Sequence, residues 1–451
     1  MKKRIAVLFT LGLLSAASLL TAQQPADIAG EIGMSGGRKP VIALPDFRGN
    51  GETQPLMNAF NARLFSELEA SGALTIAPKG LYPLQVPQQP EDFRAPSSAG
   101  VSNGPWLADW SGGNVQSNYL AFGYASVQNG RLALFGWLFD VTQKDVKNAN
   151  VFGKIYFGAL NEEGANKVAV DFATDILAKL GFKSLAGSRV FFVSDRSGSK
   201  EIWSMDYDGQ NQRQVTRYNG ISISPALSPD NTKLGFTRLM PPSVMVHSVE
   251  SGRRLTFVNP QASMNATPEF LPDGRIIFSS TLGGSFANLY ISGADGGGLR
   301  RLTDIRAIEV EPRVNPKNPR ELLFISGRGG GRAQLFKMSV DGTQVERLTD
   351  GRGEASNPSW SPDGQFLAFS WTAGYEPGNW SIFIMNAASR KYVQLTSGVR
   401  SENPSWGPDG RHIVFSRTAG RTTQLFSMLA DGTQVKQLTH AGSNEKPVWT
   451  R

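Results

Sequence analysis

Residues 357–396 read NPSWSPDGQFLAFSWTAGYEPGNWSIFIMNAASRKYVQLT. A proline and an aromatic open the stretch, Pro362-Asp363-Gly364 interrupts it, two apolar runs follow, and Leu395-Thr396 closes it. In the interruption the proline presets φ and the glycine accepts the conformation that a tight strand reversal needs. Four strands are predicted, at 358–361, 365–371, 381–386 and 392–396. The same signals recur along the chain. The opening proline returns at Pro225, Pro268, Pro312, Pro358, Pro404 and Pro447, at intervals of 43, 44, 46, 46 and 43 residues. The closing pair returns as Val215-Thr216, Leu255-Thr256, Leu302-Thr303, Leu348-Thr349, Leu395-Thr396 and Leu438-Thr439. Units of about 40 to 50 residues with four strands each are propeller blades. Six starts and six stops predict six.

The phase of the repeat predicts how the ring closes. The first unit begins at residues 190–194, which occupy the second-strand position, while residues 446–450 form a first strand with nothing after it. The C-terminal strand is therefore expected to complete the blade begun at Val190, which removes two exposed edges at once.

Upstream the pattern is mixed. Residues 41–47 (VIALPDF) and 74–77 read as short strands around a helix over 53–71, where Leu56, Phe60, Leu64 and Leu68 share one face and Gly72 can end it. Prolines and serines over 78–105 predict an irregular surface excursion. Strands at 119–127 and 131–141 flank Asn129-Gly130, a strong hairpin signal. A strand at 151–157 and a helix over 162–180, through Val168, Phe172, Ile176 and Leu180, complete an α/β domain. The expected fold is thus an α/β N-terminal domain over 40–185, then an all-β six-bladed β-propeller over 189–451 with four-stranded blades.

Lys2, Lys3 and Arg4 precede an apolar run that ends near Ala22. The run is shorter than the roughly 20 apolar residues of a spanning helix, so residues 1–22 read as a signal peptide cleaved after Ala22. The mature chain is expected in the periplasm without a membrane span. Residues 23–39 read as a flexible arm. The GxSxG pattern at residues 33–37 lacks the strand-to-helix turn that gives it meaning. The chain has no cysteine, so the core must hold without disulfides. Net charge is +8, three of it in the signal, and no basic block marks a nucleic-acid arm.

Catalytic chemistry is hard to find. His247, His412 and His440 lie singly within the repeats and read as structural. Asp206 and Asp208 start like a calcium loop, but Arg217 stands where its last acidic ligand belongs. No cofactor, metal or catalytic residue is expected. Charge gathers instead just before the repeat prolines, at Glu309, Glu311, Glu354, Glu402 and Glu445, with Asn357, Arg400 and Asn403 in the same phase. Loops joining second to third strands open on the same side and carry Arg196, Arg328, Arg417 and Arg421. A ring of carboxylates at the channel mouth, with a basic surround, suits a loop of a protein partner or a cation. A propeller-gated hydrolase needs a nucleophile elbow and a histidine upstream, and the α/β segment has no histidine. A propeller lyase or a carbohydrate binder is the remaining alternative.

The combination resembles the TolB family of the Tol-Pal cell-envelope system. The carriers are the export signal, VIALPDF with its helix ending SELEASG, the later AVDFATDILAKLGF helix, and RVFFVSDRSGSKEIWSMDYDGQNQRQVT leading into the SPDG-type repeats. The resemblance implies a non-enzymatic periplasmic scaffold that supports outer-membrane integrity and constriction during division. Its propeller would bind a Pal-like peptidoglycan-associated lipoprotein at the channel mouth. Its arm, residues 23–38, would bind a TolA-like inner-membrane protein, and outer-membrane proteins are further possible partners.

Overall fold

The computed structural model describes residues 39–94 and 104–450. The signal segment with Ala22, nearly all of the arm and the GxSxG pattern lie outside these residues.

The N-terminal unit is one mixed sheet. Strands β1 (Val41–Ala43), β2 (Arg48–Gly49), β3 (Thr75–Ile76), β4 (Tyr119–Gln128), β5 (Arg131–Asp140) and β6 (Asn150–Gly158) run in the order β3-β1-β4-β5-β6, with β2 against β4. The hairpin between β4 and β5 turns on Asn129 and Gly130 at φ 51 and 70, as their sequence requires. Helices α1 (Met57–Ala70) and α2 (Glu162–Lys179) bury Phe60, Leu64, Leu68, Val168, Phe172 and Ile176 against one face. The first helix starts later than its apolar period suggests, because Gly51–Leu56, which contains Pro55, winds as a 3-10 turn.

The proline-rich excursion needs correction. Its described residues, 78–94 and 104–105, form no strand or α-helix, as predicted, but they contribute core: Phe93 stacks on Phe139 at 5.6 Å and meets Phe122 edge-on at 5.5 Å, beside buried Trp110. A sheet with apolar residues on both faces must cover both, and α1 and α2 occupy only one.

From Arg189 onward come six four-stranded antiparallel sheets. Their strands are named a to d outward from the axis, and blade 1 is the sheet from Ser222 to Leu255. Between each pair of neighbouring blades lies a buried apolar cluster, so six clusters form a closed belt. Closure is as expected. Asn444–Trp449 is strand a of blade 6 and pairs with Arg189–Ser194, Trp449 opposite Val190.

The repeat signals have visible causes. In blade 4 the Asp363 carboxylate accepts the Gln365 N–H at 3.0 Å, and the Ser361 hydroxyl accepts that of Phe366 at 2.9 Å, which fastens the Pro-Asp-Gly turn. The closing threonine accepts an N–H from strand c: Thr396 from Ile382 at 2.9 Å, Thr439 from Leu425 at 2.9 Å, Thr303 from Leu289 at 3.0 Å. Blade 1 differs, because there Asn259 rather than Thr256 takes the place, accepting from Val244 at 2.8 Å. Strand a begins earlier than predicted. In blade 4 it spans Ala355–Trp360, with Pro358 inside it rather than at its start.

The two units meet where the end of α1 touches turns of blades 5 and 6. Nδ1 of His412 lies 2.7 Å from Asp409 Oδ2 and its Nε2 lies 2.9 Å from the Ala70 carbonyl. Both neighbours are acceptors, so both ring nitrogens must carry protons for both contacts to be bonds. Arg411 donates to the carbonyls of Ser71 at 2.9 Å and Lys183 at 2.8 Å, with its guanidinium over the Phe182 ring. On blade 6, Arg63 pairs with Asp208 at 3.1 Å and the Tyr207 hydroxyl donates to Glu67 at 2.8 Å. The DYDG segment is therefore a turn, as read from sequence, and its Asp208 serves this junction. Arg411→Ala is expected to lower stability to urea by about 1.5–3 kcal/mol, the range for hydrogen bonds from a charged group. Burial opposes the Asp409 charge, but the His412 bond and Arg411 outweigh it and hold the carboxyl below its usual range. A depressed carboxyl contributes stability above its unfolded value, about 3.9, and loses it as the pH falls through the folded value. The penalty of the variant should accordingly shrink in acid.

Candidate functional site

Strand a of every blade carries a register shift at the residue before its proline. A proline has no N–H for the ladder, and a bulge is one of the few places in a sheet that tolerates it. The residue before it takes up the bend. Ser224, Thr267, Glu311, Asn357, Asn403 and Lys446 all have positive φ, between 49° and 57°. Asparagine tolerates this conformation, whereas for most other side chains it costs on the order of 1–2 kcal/mol. All six line one cavity of about 250 Å³ on the propeller axis.

The ring is held by its own bonds. Glu311 accepts from the Asn357 backbone at 2.6 Å, its side chain at 3.0 Å and Ser356 Oγ at 3.1 Å, and Lys446 Nζ approaches Glu311 at 3.9 Å. Asn403 accepts nothing from these neighbours; its N–H donates to Ser370 Oγ at 3.0 Å and its amide to Ser416 Oγ at 2.8 Å. One layer along, Arg313 lies 3.8 Å from Glu269. The channel wall is thus a set of fixed donors and acceptors of both signs.

The residues named from sequence divide into three groups. Glu311, Asn357 and Asn403 meet in the channel. Glu402 and Glu445 stand one residue nearer the loop end and are neutralised, Glu402 by Arg400 and Glu445 by Lys200, while Glu354 is exposed beside the first residue of its strand. Glu309 must be corrected. It is 0% exposed, accepts from Ser326 Oγ at 3.0 Å and Arg328 Nε at 2.9 Å, and presents nothing at the mouth. The bulge explains the difference: regular alternation would put residues two apart on one face, whereas the register shift at Glu311, with its positive φ, turns that side chain to the channel and leaves Glu309 in the blade. The expected ring of free carboxylates is therefore a ring of mixed polarity.

Arg328 and Arg196 likewise do not form a free basic surround. Arg328 pairs with Glu309, and Arg196 donates to Asn444 at 2.9 Å and Gln212 at 2.6 Å while stacking on Trp203 at 4.7 Å. Ser224, Thr267 and Lys446 escape a sequence reading that starts from carboxylates. The signal that finds them is phase, the position directly before each repeat proline.

A family model described as the TolB beta propeller domain matches residues 177–451. The chain belongs to the TolB propeller family. Among curated relatives, the Protein TolB homolog of Chlorobium chlorochromatii is 32% identical over 206 residues, 45% of each chain. The Tol-Pal system protein TolB of Desulfosudis oleivorans is 30% identical over 196 residues, 42% of each. The chain thus matches a little under half the length of these TolB relatives. The crystal structure of TolB from Acinetobacter baumannii superposes with a TM-score of 0.69 at 20% identity, covering 92% of this chain and 97% of that one. That likeness establishes the two-part fold, α/β unit and propeller together.

Proposed function

We propose that this chain is a periplasmic, non-enzymatic scaffold of a Tol-Pal system, whose channel mouth docks a Pal-like peptidoglycan-associated lipoprotein. The N-terminal arm, residues 23–38, engages a TolA-like inner-membrane protein, and the pair of contacts couples the two membranes during constriction. The observation that carries the reading is the ring of six left-handed residues. A left-handed residue repeated in every blade and gathered on one cavity, strained in the four blades where it is not asparagine, fits a functional surface, and fixed donors and acceptors of both signs suit a polar loop of a protein. Membership of the TolB family and the Tol-Pal names of its relatives support the choice of a Pal-like partner. No helix among the described residues is long and apolar enough to cross a membrane. The test is co-purification of the tagged mature chain from cell envelopes. A lipoprotein with a peptidoglycan-binding domain is expected in the eluate, and its absence would refute the proposal.

A further inference from the structure

Among the described residues, the second face of the N-terminal sheet is covered at only one end. Leu120, Phe122 and Phe139 lie under Phe93 and Trp110. Beyond them the strand register continues the same face through Trp137 opposite Gly153, Tyr124 opposite Phe135 opposite Ile155, and Ala133 opposite Phe157. Tyr124, Phe135 and Trp137 are half-buried, while Ile155 and Phe157 are 43% and 41% exposed.

These side chains form a flat surface. Tyr124 and Phe135 stack at 4.7 Å with 7° between their planes, and Tyr124 meets Trp137 at 6.2 Å. The Trp137 indole lies over Gly153, where a Cβ would come within 2.4 Å of its Cδ1. Glycine at 153 thus lets the indole spread over the edge strand. The patch spans three strands, roughly 10 Å at the usual strand spacing, which matches the roughly 10–12 Å diameter of one helix. The other face of the same sheet is covered by helices.

Charge narrows the occupant. Arg131 sits 5.6 Å from the Phe157 ring, and Arg48 on β2 is in register with Tyr124. Among the described residues neither belongs to an ion pair, and the nearby Asp46 is taken by Lys79. Two free cations beside an apolar platform complement a helix with carboxylates flanking its apolar stripe.

We propose that this face binds an acidic amphipathic helix of a partner protein, a second interface separate from the channel mouth and independent of the reading given to it. The test places a benzoylphenylalanine photocrosslinker at Ile155 of the full chain in living cells, with fragments identified by mass spectrometry. Ile155 is exposed, so the melting temperature should be unchanged. The expected product joins Ile155 to a helical segment of another protein rich in Asp or Glu, and Arg131→Glu in the same background should cut its yield at least fivefold. Crosslinks to residues 95–103 or 23–38 of the same chain, a dimer through a second copy, a basic or unstructured captured segment, or no crosslink would each overturn the proposal.

Discussion

Removal of residues 446–451 is expected to abolish the cooperative unfolding transition of the propeller or to lower it sharply. The lost strand joins the two ends of the ring. Trp449 is 2% exposed and fills the cluster between blades 5 and 6. Around it Thr450 N–H donates to the Arg189 carbonyl at 2.9 Å, Arg189 N–H donates to Thr450 Oγ1 at 2.9 Å, and the indole N–H reaches Ser188 Oγ at 2.9 Å. Truncating one buried Trp to Ala costs about 3–5 kcal/mol. The deletion loses that, the ladder, and the cover of one edge of blade 6, out of a total stability of about 5–15 kcal/mol. Calorimetry should show the propeller transition absent or lowered by at least about 15 °C. Trp449→Ala in the intact chain should retain a transition, shifted by about 6–20 °C at the usual 2–4 °C per kcal/mol. Deletion with less effect than this single truncation would show that the closing strand does not hold the ring.

Glu309→Ala should cost about 3 kcal/mol, near the lower end of the range for breaking a buried pair from one side. Arg328 is the reason. Its guanidinium, 5.4 Å from both Phe324 and Phe336, keeps little contact with water and would lose the one carboxylate it pairs with among the described residues. Blade 4 carries Ala355 at the corresponding place, opposite Trp371, and has no charge there to strand. The double variant Glu309→Ala, Arg328→Met should therefore recover much of the loss, since a packed apolar replacement of a buried pair is often neutral. Glu354→Ala, one position earlier in the repeat and exposed, should stay within about 0.5 kcal/mol. Urea denaturation separates these cases. An equal, small loss at Glu309 and Glu354 would restore Glu309 to the surface.

Much of this architecture was legible because its causes are local. The Pro-Asp-Gly turns and the closing threonines each satisfy backbone groups within one blade, so a single unit carries its own instructions. Even the closure followed from phase alone. What escaped depends on chain that is distant in sequence. The proline-rich excursion becomes core only because β4 and β5 present a second apolar face, and His412 looks like any strand residue until Ala70 stands opposite it. Glu309 and Glu311 differ by two positions. A bulge sends one into the blade and the other to the channel, and no composition rule separates them. The site itself was half visible, since Glu311, Asn357 and Asn403 stand among the carboxylates and asparagines of the entering loops, while Ser224, Thr267 and Lys446 share with them only a position and a backbone conformation.

The claim that the channel ring is the docking mouth is tested most directly by titrating the purified chain with the soluble domain of the Pal-like lipoprotein. Lys446→Glu is the informative variant, because Glu311 already occupies the same bulged position in blade 3 and the fold accepts it. It places a second carboxylate beside Glu311 and reverses one charge of the ring. Calorimetry should show binding to the parent chain and at least a tenfold weaker affinity for Lys446→Glu at unchanged melting temperature. Equal affinity for the two would contradict the account.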